Sequence, residues 1–345
     1  MKLRKNQIIR LILALCCLLV FFILLILNRQ ISGTLPAQYA AERWQNNISS
    51  AQMSIFFKQE AEFSTDSIQN LHESIDERLT AQALTPENAQ ARLWYDAYSS
   101  QAGQMEISGS RKGTAQALVT VIGGDFFLLH NSRLISGGYF HANDLMQDRV
   151  VIDTQLAWQL FGSSDVAGLE LTIQNHRCQI AGVIQPEDDY ASKTAYGEIP
   201  RIYLSYDFYQ KNWEEISVAC YEAVLPNPVR GFARSLLTEF LSEYEKNSIM
   251  LQNTGRYALS GRWNTLRNLR SLMVSETVLY PYWENAARII SFDSAVILLF
   301  QIIFMLYPVI YFIYLICRGY VFIRKYLRHK RLAEKKRYHS EIQQI

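Results

Sequence analysis

The chain has 345 residues, five cysteines and a formal net charge of +2, long enough to bury a substantial core. The near-neutral total conceals an asymmetry, because residues 28–294 sum to about −9 and the two ends together to about +11, a split between compartments rather than a uniformly basic chain. No Walker motif, HExxH, paired-cysteine spacing or GxSxG elbow occurs, which excludes nucleotide hydrolysis by this chain and leaves no catalytic or metal-binding constellation, His130, His141 and His176 being scattered.

Residues 11–27 are an unbroken apolar run, LILALCCLLVFFILLIL, and the segment 8–27 covers roughly 30 Å at about 1.5 Å per residue, the depth of a bilayer's hydrocarbon. The stretch Asn28-Arg29-Gln30-Ile31 offers no small-x-small cleavage site, and Leu15 before Cys16 rules out a lipobox, so an uncleaved membrane anchor is predicted.

After a polar lead-in, residues 51–57 read as a strand with Met53, Ile55 and Phe57 on one face. Asp66 is the predicted cap of a helix whose Ile68, Leu71, Ile75 and Leu79 recur at spacings of three and four, stopped by Thr85-Pro86. His72 on that helix reads as a satisfied or partly exposed histidine, not a ligand. Residues 93–130, rich in Tyr, Val, Thr and Ile and broken by Gly103, Gly109 and Gly113, predict strands joined by tight turns, with no helical period. Asp153 caps a helix over TQLAWQLF, with Leu156, Ala157, Leu160 and Phe161 on a shared face and Gly162 in the position of a left-handed C-cap. A hairpin about Asn175-His176-Arg177 joins residues 169–174 to 178–184.

Residues 185–197 read as a polar loop in which Glu187-Asp188-Asp189 is an exposed acidic tip, since three adjacent carboxylates cannot converge on one ion. Strands follow at 201–205 and 217–225, then a helix opened by Asn227-Pro228 with Phe232, Leu236, Phe240 and Tyr244 on one side, and a closing strand at 249–252. The exterior is therefore expected to be α+β, two strand-helix-strand units with a strand-rich insertion between them. Cys178 and Cys220 lie in that exterior part, where a disulfide is permitted, although two buried free thiols suit this residue type as well. Cys16, Cys17 and Cys317 pack as small apolar residues within or beside the spans.

Past Gly261 a helical pattern of Leu266, Leu269, Leu272 and Met273 leads to a second apolar run, residues 295–317. Tyr280, Tyr282 and Trp283 precede it and are expected in the headgroup layer, with Glu284 and Arg288 paired at i,i+4. Within the run, Gln301 and the carbonyl freed by Pro308 are better accommodated against neighbouring helices than in lipid, which makes both candidates for helix packing. Lys2, Arg4, Lys5 and Arg10 flank the first span, and nine Lys or Arg between Arg318 and Arg337 follow the second. The positive-inside rule then puts both termini in the cytoplasm. The basic tail begins beside anionic headgroups, so membrane lipid rather than nucleic acid is its expected partner, and Val321, Tyr326 and Leu327 suit an apolar helical face. The resulting plan is a cytoplasmic start over 1–7, spans at 8–27 and 295–317, an exterior domain over 28–294 with its core at about 45–255, and a basic cytoplasmic tail over 318–345.

The middle of the chain holds an ordered series of short motifs: Val121-Ile122-Gly123-Gly124-Asp125-Phe126-Phe127, Leu134-Ile135-Ser136-Gly137-Gly138-Tyr139-Phe140, Arg149-Val150-Val151-Ile152-Asp153, Leu156-Ala157-Trp158-Gln159-Leu160-Phe161-Gly162, Ala167-Gly168-Leu169, and Gln179-Ile180-Ala181-Gly182-Val183-Ile184. This series resembles the MacB-like periplasmic core domain of ABC transporter permeases of the FtsX type. Gly138 stands where that family usually has Arg, and Leu169 where it usually has Lys. The resemblance implies a strand-rich subdomain inserted in an α+β subdomain after a first membrane helix, no catalytic residues and no cofactor. It also implies partners: a cytoplasmic ABC ATPase and, because the family follows its core domain with three membrane helices where this sequence shows one, a separate FtsX-type permease chain. The expected function is that of a non-catalytic permease-like subunit of a transport or mechanotransmission complex. The alternative is a stand-alone membrane-anchored module that binds or senses outside the membrane.

Overall fold

The computed structural model describes residues 5–44, 48–86, 88, 91–110, 113–141, 144, 146–269 and 279–342. Two compact units are present, one of Met1–Ile31 with Asp293–Ile345 and one of Ser32–Phe292.

In the second unit, strand β1 (Ser50–Phe57) runs between β10 (Ser248–Gln252) and β9 (Cys220–Pro226), antiparallel to both, and β9 pairs in turn with the start of β2 (Tyr95–Gly109). These four strands form an open wing. The rest closes on itself. Strand β2 pairs with β3 (Gly113–Gly124), β3 runs parallel to β8 (Arg201–Ser205), β8 pairs with β5 (Arg149–Asp153), and β5 runs parallel to β7 (His176–Gln185). Finally β6 (Glu170–Ile173) joins β7 back to the end of β2 through Ile107↔Ile173, while β4 (Arg133–Gly137) lines the edge of β7. The expected α+β design with a strand-rich insertion is this wing and ring.

Side chains alternate across each strand, so both faces of the sheet are buried. One face is aliphatic. On it Met53, Ile55 and Phe57 of β1, Ala223 and Leu225 of β9, Val119 and Val121 of β3 and Val150 and Ile152 of β5 share a cluster with the apolar stripe Ile68, Leu71, Ile75 and Leu79 of helix α3 (Thr65–Ala81). Helix α5 (Thr154–Phe161) packs against β2, β3, β5, β7 and β8 and so fills the ring. Its close approach explains two glycines: a Cβ on Gly113 or Gly109 would stand 3.0–3.1 Å from atoms of Leu160. Helix α8 (Phe232–Phe240) adds Ala233, Leu236 and Leu237 to this face. The other face carries aromatics, Phe56, Tyr95, Phe126, Phe127, Tyr203 and Trp283 among them.

Several local expectations are corrected. Helix α3 is capped by Ser64, whose Oγ accepts from Ser67 N, rather than by Asp66, and it ends at Ala81, before Thr85-Pro86. Two short helices stand where strand or loop was expected, α4 (Phe126–His130) and α6 (Tyr190–Tyr196), and a third, α7 (Tyr206–Asn212), falls between the expected strands at 201–205 and 217–225. Asp189 is the cap of α6, accepting from Ala191 N and Ser192 N at 3.0 Å, so it belongs to a helix start and not to a loop tip. Helix α8 opens after Gly231 at φ +91°, although Asn227 Oδ1 still accepts from Ala233 N at 3.3 Å. Phe161 is only half-buried at the edge of the aliphatic cluster, because α5 turns its Leu156, Ala157 and Leu160 inward. Leu272 and Met273 lie outside the described residues.

The first unit contains α1 (Lys5–Ser32) and most of the long α10 (Tyr282–Ile342); α2 (Ala40–Arg43) and α9 (Leu259–Arg267) belong to the second. Apolar stretches over Asn6–Ser32 and Tyr282–Leu332 are long enough to cross a membrane. In α10, Ser294, Leu298, Gln301 and Pro308 are buried at spacings of four, three and seven, one helical face, while Leu306, Ile310 and Phe312 are exposed. Tyr307 Oη reaches the Arg10 carbonyl at 3.5 Å, so α1 and α10 run side by side.

Candidate functional site

The segments that follow α1 and open α10 are both tied into the core of the second unit. Behind α1, Leu35, Ala37, Gln38, Ala40 and Ala41 are buried. Gln52 on β1 holds this lead-in by its backbone: its Nε2 donates to the Ala37 carbonyl at 2.6 Å and its Oε1 accepts from Ala40 N at 2.9 Å. Arg43 Nη2 donates to the Leu129 carbonyl at 2.6 Å, and Trp44 lies 4.7 Å from the Tyr95 ring.

At the start of α10 the aromatic residues expected in the headgroup layer are instead buried in the sheet's aromatic face, with Tyr280 8%, Tyr282 7% and Trp283 5% exposed. Tyr280 packs 5.0 Å from Phe56, and Trp283 lies 5.4 Å from Phe126 and 4.5 Å from His130. Arg201 is sandwiched between two rings, 4.4 Å from Tyr196 and 4.6 Å from Tyr282. A ring sealed in a core loses far more water than one at a headgroup layer, and that difference decides the placement. Glu187 is likewise no exposed tip: its Oε2 accepts from Tyr282 Oη at 3.2 Å, and burial pushes its carboxyl above the usual range despite the backbone hydrogen bond and the nearby His130 and Tyr282 that favour the charge.

A buried polar chain joins the two segments. Glu284 pairs with Arg256 in a two-pronged contact, Nη1 to Oε2 at 2.8 Å and Nη2 to Oε1 at 2.9 Å, rather than with Arg288, whose guanidinium lies 4.0 Å over the Tyr280 ring. Burial disfavours the Arg256 charge, but the Glu284 carboxylate outweighs it and raises the pKa above the ordinary arginine value. Arg256 also donates from Nε to Ser291 Oγ at 2.9 Å and from Nη1 to Gln38 Oε1 at 3.3 Å. Gln38 Oε1 accepts from Asn253 Nδ2 at 3.1 Å; Ser54 Oγ stands 3.1 Å from Asn253 Oδ1 and 2.8 Å from Glu222 Oε1; and Glu222 Oε2 lies 3.0 Å from His130 Nε2. The chain thus runs from α10 through the lead-in, β1 and β9 to α4.

This arrangement locks rather than reacts. Ser54, Glu222 and His130 are no more than 2% exposed, so no substrate atom reaches them, and Ser54 touches the carboxylate instead of the imidazole that would have to take its proton. Among the described residues no group of three or more His, Cys, Asp or Glu is placed to hold a metal ion. Cys178 and Cys220 are two separate free thiols, one in the aliphatic cluster and one in the aromatic cluster. The permitted disulfide does not form because the two residues belong to different faces of the sheet. Burial pushes the Cys178 thiol up to about 12, far from a reactive thiolate. His72 is bonded to Asp96, Nε2 to Oδ2 at 2.5 Å, and His176 packs on Trp213 at 4.7 Å. Gln301 is 3% exposed and Pro308 is buried on the same face of α10, both covered by this chain's own atoms. Sequence reasoning missed the junction, although the polar Gln52 and Ser54 between apolar neighbours in β1 carried a trace of it.

The MacB-like periplasmic core domain model matches residues 20–231, more than half of the chain. Among solved structures, the periplasmic region of MacB from Actinobacillus actinomycetemcomitans is 14% identical, with a TM-score of 0.41 over 63% of this chain and 92% of that one. The extracellular domain of the noncanonic ABC-type transporter YknZ from Gram-positive bacteria is 11% identical, with a TM-score of 0.40 over 58% of this chain and 99% of that one. No curated protein matches the sequence. The motif series through β3, α4, β5 and α5, the inserted strand-rich ring and the family match agree, and the chain belongs to the MacB-like periplasmic core domain family of ABC transporter permeases.

Proposed function

We propose that this chain is a non-catalytic, permease-like subunit of an ABC transport or mechanotransmission complex, working with a separate ABC ATPase and an FtsX-type permease chain. The observation that carries the reading is the junction: the lead-in after α1 and the start of α10 are held in one core by the Arg256–Glu284 pair and its polar extension to His130. Packed interiors do not deform continuously, so a displacement of either segment has to move the sheet or break the network, which is what transmission of motion requires. In this reading both termini are cytoplasmic, residues 28–294 are extracytoplasmic with a core at about 45–255, the spans occupy 8–27 and 295–317, and the basic segment after Cys317 lies on anionic lipid. The exposed faces of α1 and α10 offer surface for further membrane helices.

Gentle solubilisation from the native membrane tests this directly. The expected result is co-purification of an ATPase and a permease chain. A monomer with neither attached would overturn the reading in favour of a stand-alone anchored binding module. In intact cells, a membrane-impermeant thiol reagent is expected to label Ser64→Cys and to leave Ser340→Cys untouched; labelling of the second defeats the topology.

A further inference from the structure

Two of the sequence motifs, the one ending in Phe126-Phe127 and the one ending in Tyr139-Phe140, converge on a cavity of about 350 Å³ in the exterior unit. That volume lies at the small end of ligand pockets, about 300–1,000 Å³, and none of the polar residues of the junction lines it. Its space depends on a glycine. Tyr98 of β2 faces Gly123 of β3 in the strand register, and a Cβ on Gly123 would overlap the Tyr98 phenol. With glycine there the ring lies on the strand, 5.1 Å from Tyr206, instead of filling the space above it. Phe127 supports the aromatic wall, stacked on Tyr139 at 4.6 Å and edge-on to Phe140 at 5.6 Å.

The charge of the lining is one-sided. Asp125, Asp207 and His141 border the cavity, and among the described residues no Lys or Arg does. Arg92, from outside the lining, holds Asp125 at 2.6 Å, whereas Asp207 is exposed and, among the described residues, touches only the Gln147 amide at 3.3 Å. The Tyr98 hydroxyl has no protein hydrogen-bond partner among the described residues. We infer that this cavity binds a small organic cation with an aromatic body: an ammonium group set against Asp207 and the Tyr98 oxygen, its ring against the aromatic wall. Aromatic faces attract cations and the Asp207 carboxylate adds to that attraction, while the same carboxylate repels anions.

The inference is independent of the proposed transport role, because co-purification of an ATPase is indifferent to it. Phenethylammonium, neutral benzyl methyl ether and phenylacetate can be titrated into the full chain in detergent micelles, with binding read by calorimetry and by saturation-transfer NMR. Saturable binding of the cation is expected, with benzyl methyl ether weaker and phenylacetate not bound. Asp207→Asn should weaken the cation about tenfold, and Tyr98→Phe should weaken it less. Gly123→Ala should drive the Tyr98 ring into the cavity and abolish binding; if that variant does not fold, Asp207→Asn, at an exposed position, decides alone. Equal binding of the three probes, an unchanged affinity in Asp207→Asn, or no saturable binding of phenethylammonium each overturns the site.

Discussion

The two faces of the exterior sheet solve different problems with the same strands. On the aliphatic face, β1 sends Met53, Ile55 and Phe57 against helices whose contribution is volume. On the other, the same strand sends Gln52, Ser54 and Phe56 into a core where nearly every position has a named partner. Volume is forgiving, since a smaller side chain costs a cavity but leaves every polar group as it was. Partnered charge is not, because deleting one member strands the other in a medium that cannot solvate it. The aliphatic face therefore holds the domain together, and the aromatic-polar face decides how the segment after α1 and the start of α10 are held.

Experiments can break this contrast. The largest effect is expected from Arg256→Ala, which leaves Glu284 buried and unpaired, at about 3–5 kcal/mol by denaturant unfolding of the full chain in micelles. The double change Arg256→Met with Glu284→Leu should recover most of that loss; a double variant as unstable as the single one would show that the pair itself, not the stranded charge, matters. On the aliphatic face, Leu160→Ala is expected to cost about 2–5 kcal/mol and Phe161→Ala less, since Phe161 is only half-buried. If Leu160→Ala were to disturb Trp283 fluorescence as strongly as Arg256→Ala does, the two faces would not be separable. Gln52→Ala should cost about 1–3 kcal/mol by leaving the Ala37 carbonyl and Ala40 N without their partner, and hydrogen exchange should rise first at the lead-in. The smallest effect is a pH dependence at His72. Burial opposes its charging, but the hydrogen bond and charge of Asp96 win and raise its pKa above 6.5. Its contribution is then full below pH 6.5 and fades as pH rises through the folded pKa, and His72→Ala should flatten that slope; an unchanged slope would assign it elsewhere.

What was legible in the sequence follows the same division. The stripe of α3, the Asp153 cap and Gly162 stop of α5, and the alternation of β1 are local patterns with a period, and all were readable. Helices α4, α6 and α7 have five to seven residues, too few turns for a period to appear, although Asp189 and Ser205 were available as cap signals. Closure of the ring depends on Ile107 meeting Ile173, a distant pairing that no local pattern announces. The junction was hidden for a physical reason: Gln52, Ser54 and Glu222 look like outward-facing polar positions until the partners that make their burial affordable are brought in from elsewhere in the chain. Tyr280, Tyr282 and Trp283 looked like a membrane belt because only their neighbours in sequence were visible.

Strand β2 has a consequence of its own. Its residues Tyr95–Ser99 pair with β9 in the wing and its residues Ile107–Gly109 pair with β6 in the ring, and between them the register with β3 shifts from Gln101 to Gly103, where Gly103 takes φ +87°. A bulge of this kind interrupts the ladder and is a natural seam between cooperative units. Amide protons on its two sides are then expected to exchange with solvent at two different opening free energies within a single strand, so that β2 alone reports which half of the domain has loosened.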